Sequence, residues 1–325
     1  MSKTLPSVES EVPQLVERLR SGDVRALARA VSLVENDAES ASEVLSGCFP
    51  YGGRALRIGV TGAPGAGKST IVDKLARHYR GAGVTVGVVA VDPSSPFTGG
   101  AILGDRIRMQ ENLSDPGFYV RSMATRGSLG GLARTTADVA SVIEASGKDV
   151  ILIETVGVGQ DEIDIVRLSD VTIVVLVPGM GDDVQSIKAG IMEIADLFVV
   201  NKADREGADR VEKEVRAMQS LASSHGNWIP PVIKTIASTG EGIERMIEAV
   251  AQMKEWLESD GRMEARRRHH WRERITEMMR HALMRQVRRH GLSDAELEAY
   301  AAQAAGKQAD PYKLVPELVA RVIKS

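Results

Sequence analysis

Leu56-Arg57-Ile58-Gly59-Val60-Thr61-Gly62-Ala63-Pro64-Gly65-Ala66-Gly67-Lys68-Ser69-Thr70-Ile71-Val72-Asp73-Lys74-Leu75 decides the fold. Its opening run has strand character and its closing run has helical apolar spacing. Between them, residues 62–69 fill every fixed position of a phosphate-binding loop. Glycines let backbone N–H groups turn onto phosphate oxygens without Cβ clashes, and the following helix N-terminus adds partial positive charge. The cradle comprises Gly62, Ala63, Pro64, Gly65, Ala66, Gly67, Lys68, Ser69 and Thr70. Lys68 is expected to reach the β- and γ-phosphates of a nucleoside triphosphate, and the Ser69 hydroxyl to ligate Mg²⁺.

Downstream, Leu197-Phe198-Val199-Val200 reads as a buried parallel strand and runs directly into Asn201-Lys202-Ala203-Asp204. The Asp204 carboxylate suits guanine, whose N1–H and exocyclic amine both donate to it. Adenine presents an acceptor at N1 and no amine at C2. Asn201 is placed against the base edge and the Lys202 stem along the ring. Thr235-Ile236-Ala237-Ser238 ends a further strand, and the backbone N–H groups of Ile236, Ala237 and Ser238 are expected below the guanine O6. GTP and GDP are therefore the expected ligands.

Around these motifs, apolar runs at 58–61, 84–91, 150–153, 171–177, 197–200 and 232–236, with a shorter one at 118–120, alternate with helical stretches. This predicts an α/β fold, a doubly wound and mostly parallel sheet whose ligands sit beyond the carboxyl ends of the strands. Residues 1–53 read as a helical N-terminal extension broken at Gly22-Asp23, and 54–258 as the nucleotide-binding domain. Residues 259–325 read as a helical C-terminal arm. Between 261 and 290, ten arginines and four of the six histidines flank an apolar seam through Trp271, Ile275, Met278, Met279, Leu283 and Val287. A solvated basic face on a core-packed helix accounts for this, and so does an arm pairing with a second subunit. RNA binding is disfavoured by the lack of aromatic interleaving.

Over 325 residues, 43% hydrophobic content supports one large core. A net charge of −3 argues against bulk affinity for nucleic acid or an anionic membrane. A single cysteine, Cys48, excludes a disulfide framework and an all-thiolate metal site, and fits a reducing cytosol. The polar, acidic start leads us to expect no secretory signal and a cytoplasmic location. No apolar run approaches the roughly 20 residues of a membrane helix.

The residues between the two nucleotide motifs carry the switching chemistry. The run 84–91 ends at Asp92, where a carboxylate holds Mg²⁺ directly or through water. Asp105, in a glycine-rich stretch, either completes that metal site or caps a helix. Glu154-Thr155-Val156-Gly157 takes the place of Asp-x-x-Gly: the Gly157 N–H meets the γ-phosphate, and Glu154 reaches either the Mg²⁺ ligands or the attacking water. The catalytic set is thus Lys68, Asp105, Glu154 and Gly157, and the metal set Ser69, Asp92, Asp105 and Glu154. Val158 stands where small regulatory GTPases carry a water-orienting glutamine, so slow intrinsic hydrolysis, completed by a partner, is expected. The loop 178–188 presents Asp182, Gln185 and Lys188, and by itself reads as an ordinary capped helix start.

These residues resemble the MeaB-type GTPases, also called ArgK, which are chaperones of adenosylcobalamin-dependent methylmalonyl-CoA mutase. The resemblance rests on residues 62–69, Val91-Asp92-Pro93-Ser94-Ser95-Pro96, Glu154-Thr155-Val156-Gly157-Val158-Gly159-Gln160, the run 181–196 and Val200-Asn201-Lys202-Ala203-Asp204. It covers essentially the whole chain. It implies a homodimer, a C-terminal dimerisation arm, and a GTP-dependent gate that protects the mutase, or a related acyl-CoA mutase, and is stimulated by it. It also implies that Asp182, Gln185 and Lys188 signal between mutase and nucleotide. No Asp-x-His-x-x-Gly cobalamin signature occurs, so cobalamin is expected on the partner. The alternative is a phosphotransferase acting on a small amine such as arginine, which needs an acid beyond the metal set.

Overall fold

The computed structural model describes residues 11–92, 115–124, 131–155, 157, 164–179, 193–221, 228–290 and 292–323. Seven strands are present among them: β1 (Leu56–Gly62), β2 (Val86–Asp92), β3 (Phe118–Ala124), β4 (Val150–Glu154), β5 (Val171–Leu176), β6 (Leu197–Asn201) and β7 (Val232–Thr235). They form one sheet in the order β3-β2-β4-β1-β5-β6-β7, with every ladder parallel.

The helices are α1 (Glu11–Arg20), α2 (Val24–Glu35), α3 (Ala41–Cys48), α4 (Lys68–Gly81), α5 (Gly131–Ala145), α6 (Ala208–Leu221), α7 (Ile243–Glu258), α8 (Arg262–His290), α9 (Asp294–Ala305) and α10 (Pro311–Ile323). Apolar residues on both faces of the central strands demand cover on both sides. Val150 and Leu152 of β4 join the core built with α4 and α7, whereas Ile151 and Ile153 join the core built with α5. That period of two is the strand pleat. The α1–α3 helices share the α5 core, and α6 packs beside β6 and β7. Gly59 makes room for this layering, since a Cβ there would stand 2.5 Å from Ile165 Cγ1.

The break expected at Gly22-Asp23 separates α1 from α2, and Asp23 caps α2 by accepting from the Arg25 and Ala26 amides at 2.9 and 3.1 Å. The short run expected at 118–120 is instead a seven-residue strand, paired with β2 throughout. An edge strand has one neighbour and tolerates polar residues, so only part of it shows as an apolar run in the sequence. Arg121 leans out to Glu35 of α2, Nε to Oε2 2.7 Å. Asp196 accepts the Thr172 amide and both Arg266 guanidinium nitrogens, so it serves the core.

Two compact units divide the chain, one up to Arg266 and one from Arg267. In the second unit α9 opens on a capping box between Ser293 and Glu296. Trp271, Ile275, Met278, Met279 and Leu283 of the expected seam are all exposed there. No described helix is long and apolar enough to cross a membrane.

Candidate functional site

The phosphate loop leaves β1 at Gly62 and enters α4 at Lys68. Gly65 (φ +76°) faces open space: beyond its chain neighbours, no heavy atom among the described residues lies within 4 Å of where its Cβ would stand. Gly67 (φ +92°) is crowded instead: its Cβ would meet Asn201 Nδ2 at 2.4 Å. No side chain caps the start of α4, so its first amides point into the loop. Lys68 is buried, and its Nζ donates to the Gly62 and Ala63 carbonyls at 2.8 and 3.1 Å.

The end of β4 closes over this loop. Glu154 pairs in register with Val60 of β1 and Ala90 of β2, is 4% exposed, and accepts the Ser69 hydroxyl at 2.7 Å on Oε1. The Thr155 hydroxyl donates to that of Thr61 at 2.9 Å, tying the two strand ends together. Gly157 has φ +85°, and a Cβ on it would stand 1.9 Å from the Gly62 carbonyl oxygen and 2.6 Å from Lys68 Nζ. Its backbone therefore lies against the loop, beside the ammonium. Asp92 ends β2, two residues beyond the partner of Glu154. Asp105, Asp182, Gln185 and Lys188 lie outside the described residues.

At the other end, Asn201 ends β6 and is 3% exposed. Its Nδ2 donates to the Ala66 carbonyl at 2.8 Å, and its Oδ1 accepts from Thr235 Oγ1 at 3.1 Å and the Ala237 amide at 3.0 Å. The Asn201 side chain, expected at the base edge, brackets the phosphate loop, β6 and β7. The Ala237 amide, expected below guanine O6, donates to Asn201 Oδ1. The Ser238 residue is exposed and Ile236 half-buried, its amide bonded to the Glu241 carbonyl at 3.0 Å. Lys202 takes φ +57° and spans back to the Gly65 carbonyl, Nζ to O 2.7 Å. Asp204 is exposed, and no donor meets its carboxylate among the described residues.

This donor set fits a nucleoside triphosphate with Mg²⁺. It offers an uncapped helix start, an ammonium resting on carbonyl oxygens, a hydroxyl–carboxylate pair and an open carboxylate at the base end. The model of the methylmalonyl-CoA mutase-associated GTPase MeaB matches residues 27–291. The chain belongs to the MeaB family of GTPases. A Pyrococcus abyssi protein is 47% identical over 315 residues, which is 96% of this chain and 97% of that one. GTPase ArgK of Escherichia coli is 35% identical over 90% of this chain and 89% of its own. A mouse protein, methylmalonic aciduria type A homolog, mitochondrial, is 37% identical over 78% of this chain and 66% of its own. The crystal structure of a LAO/AO transport system kinase superposes with TM-score 0.72 at 26% identity, covering 99% of this chain and 100% of that one.

The MeaB assignment agrees with the sequence resemblance and makes this chain a P-loop GTPase that converts GTP to GDP and phosphate. Sequence reading missed the Thr61–Thr155 hydroxyl bridge and the Asn201 bracket. Both depend on which strands are neighbours, and only the position of Thr155 beside Glu154 hinted at the first.

Proposed function

We propose that this MeaB-family GTPase is a nucleotide-driven switch on an adenosylcobalamin-dependent methylmalonyl-CoA mutase, or a related acyl-CoA mutase. It gates cobalamin loading and protects the mutase from inactivation. The observation that carries the reading is the junction of Glu154, Ser69, Gly157 and Lys68 on one phosphate loop, in a family defined by mutase association.

Lys68 exchanges its carbonyl partners for the β- and γ-phosphates, while the α4 amides bind the phosphate oxygens. Ser69 and Glu154, with Asp92 and Asp105, would hold Mg²⁺, which when bound neutralises charge on the β- and γ-oxygens. The Ser69–Glu154 bond favours a metal-holding role for Glu154 over water activation, because Oε1 already lies on the metal-ligating hydroxyl. The Gly157 amide senses the γ-phosphate, and Asp204 selects guanine. Val158 supplies no polar group for the attacking water, so hydrolysis is slow until the mutase completes the site. Asp182, Gln185 and Lys188 carry that signal. The exposed seam on α8 supports pairing with a second copy of the chain.

GTP turnover measured with and without mutase tests the proposal. Phosphate release accelerated by the mutase supports it, and unchanged release sinks it. Labelled GTP incubated with arginine separates the alternative, since phosphoarginine would mark a phosphotransferase.

A further inference from the structure

A cavity of about 710 Å³ opens at the rim opposite the phosphate loop. Leu56 and Val150, the first residues of β1 and β4, form part of its wall. The phosphate loop leaves β1 six residues later, about 20 Å along the strand at ~3.3 Å per residue. The volume lies within the usual range of small-ligand sites, about 300–1,000 Å³.

The charges around this cavity are unevenly matched. Each of its three carboxylates already has a protein donor. Glu144 accepts the Arg54 and Ala55 amides at 2.6 and 2.9 Å and Arg57 Nη2 at 2.6 Å. Asp149 accepts the Thr85 amide at 2.9 Å and hydroxyl at 2.7 Å, and Glu258 pairs with Lys254 at 3.6 Å. Three lining cations have no such partner. The guanidiniums of Arg20 and Arg54 and the Lys148 ammonium have no carboxylate within 4.0 Å among the described residues. Arg20 is held in place by stacking, its Cζ 3.5 Å from the Tyr51 ring centroid. The Lys148 ammonium donates to the Pro116 carbonyl at 3.3 Å. Burial pushes its pKa down, and the nearby Arg80 guanidinium adds to the fall against the opposing pull of Asp115 and Asp149.

We propose that this cavity binds a small organic phosphate, with its anionic group on Arg20, Arg54 and Lys148 and its apolar body against Leu56, Tyr79 and Val84. All three cations line one cavity, and a dianion can engage several of them where a monocarboxylate carries a single charge. A phosphate monoester carries about −1.5 to −2 charges at pH 7. Guanidinium forks also match phosphate oxygens in geometry.

The test uses the full chain saturated with GDP, so that the phosphate loop is filled, titrated calorimetrically with phenyl phosphate, inorganic phosphate and benzoate. Phenyl phosphate should bind saturably at one site. Both other probes should bind more weakly. Arg54→Ala and Lys148→Ala should each weaken phenyl phosphate by at least about tenfold while leaving GDP affinity and thermal midpoint unchanged. Arg20→Gln repeats the measurement should either variant fold poorly. Absence of saturable binding, benzoate binding as tightly, or variants that bind normally would overturn the proposal. Inorganic phosphate binding as tightly would refute a role for the apolar wall.

Discussion

Asn201→Ala separates a structural role from a base-reading one. The substitution removes three hydrogen bonds at a side chain only 3% exposed: to the Ala66 carbonyl, the Thr235 hydroxyl and the Ala237 amide. A typical bond contributes about 0.5–1.5 kcal/mol net, and leaving a buried partner unsatisfied costs about 1–3 kcal/mol. With water re-entering to satisfy some of the orphaned groups, the loss should be roughly 3 kcal/mol, more than a hundredfold in the folding equilibrium. Urea unfolding followed by tryptophan fluorescence should show a lower midpoint with an unchanged slope. Guanine nucleotide affinity should fall as well, because Ala66 loses its tie to the base-binding segment. Asp204→Asn is the internal control: that side chain is exposed and meets no described donor, so its stability should stay within about 0.5 kcal/mol of the parent. If Asn201→Ala loses less than about 1 kcal/mol, the bracket is energetically idle and the reasoning fails.

Three further outcomes follow from the same geometry. Asp204→Asn should move preference from GTP toward XTP, whose C2 carbonyl accepts from the new amide; competition binding that shows unchanged selectivity would place base reading elsewhere. Gly157→Ala, at φ +85° with its Cβ 1.9 Å from the Gly62 carbonyl, should lower GTP turnover by about tenfold or more while GDP binding persists. Equal turnover would show that Gly157 is free to lie elsewhere. The Thr85 hydroxyl and amide hold the Asp149 carboxyl below its ordinary value of 3.8. A lowered folded pKa means stabilisation that is complete above pH 3.8 and lost as pH falls through the folded value. Asp149→Ala should therefore differ most from the parent at neutral pH, with the gap closing under acid, and a gap independent of pH would refute this.

Local chemistry made much of this chain legible before any coordinates. The phosphate loop, Asn201-Lys202-Ala203-Asp204 and the apolar runs are contiguous, and each carries its own signal in residue type and spacing. Sheet order is not local: β1 lies between β4 and β5 because of packing on both faces, and no spacing in the sequence encodes that. The same limit hid the partners of Asn201, which come from residues 66, 235 and 237. It also hid Glu144, which looks like an ordinary helix acid yet holds the Arg54 and Ala55 amides leading into β1. The full length of β3 is hidden in the sequence for a different reason. With Arg121 and Ser122 in its middle it lacks a continuous apolar run, and one paired edge suffices to hold it.

The two nucleotide-facing clamps meet on the phosphate loop itself. From the base side, Asn201 holds Ala66 and Lys202 holds Gly65. From the γ-phosphate side, Glu154 holds Ser69, Thr155 holds Thr61, and Gly157 abuts Gly62. Gly62 is fixed on a third side as well, since a Cβ there would stand 2.1 Å from the Val175 carbonyl oxygen of β5. Its own carbonyl accepts Lys68 and borders Gly157. When Lys68 turns to a triphosphate, the carbonyl that loses a donor is the one that limits Gly157. In the proposed switch, nucleotide binding and the placing of Gly157 thus meet on a single backbone group, the Gly62 carbonyl.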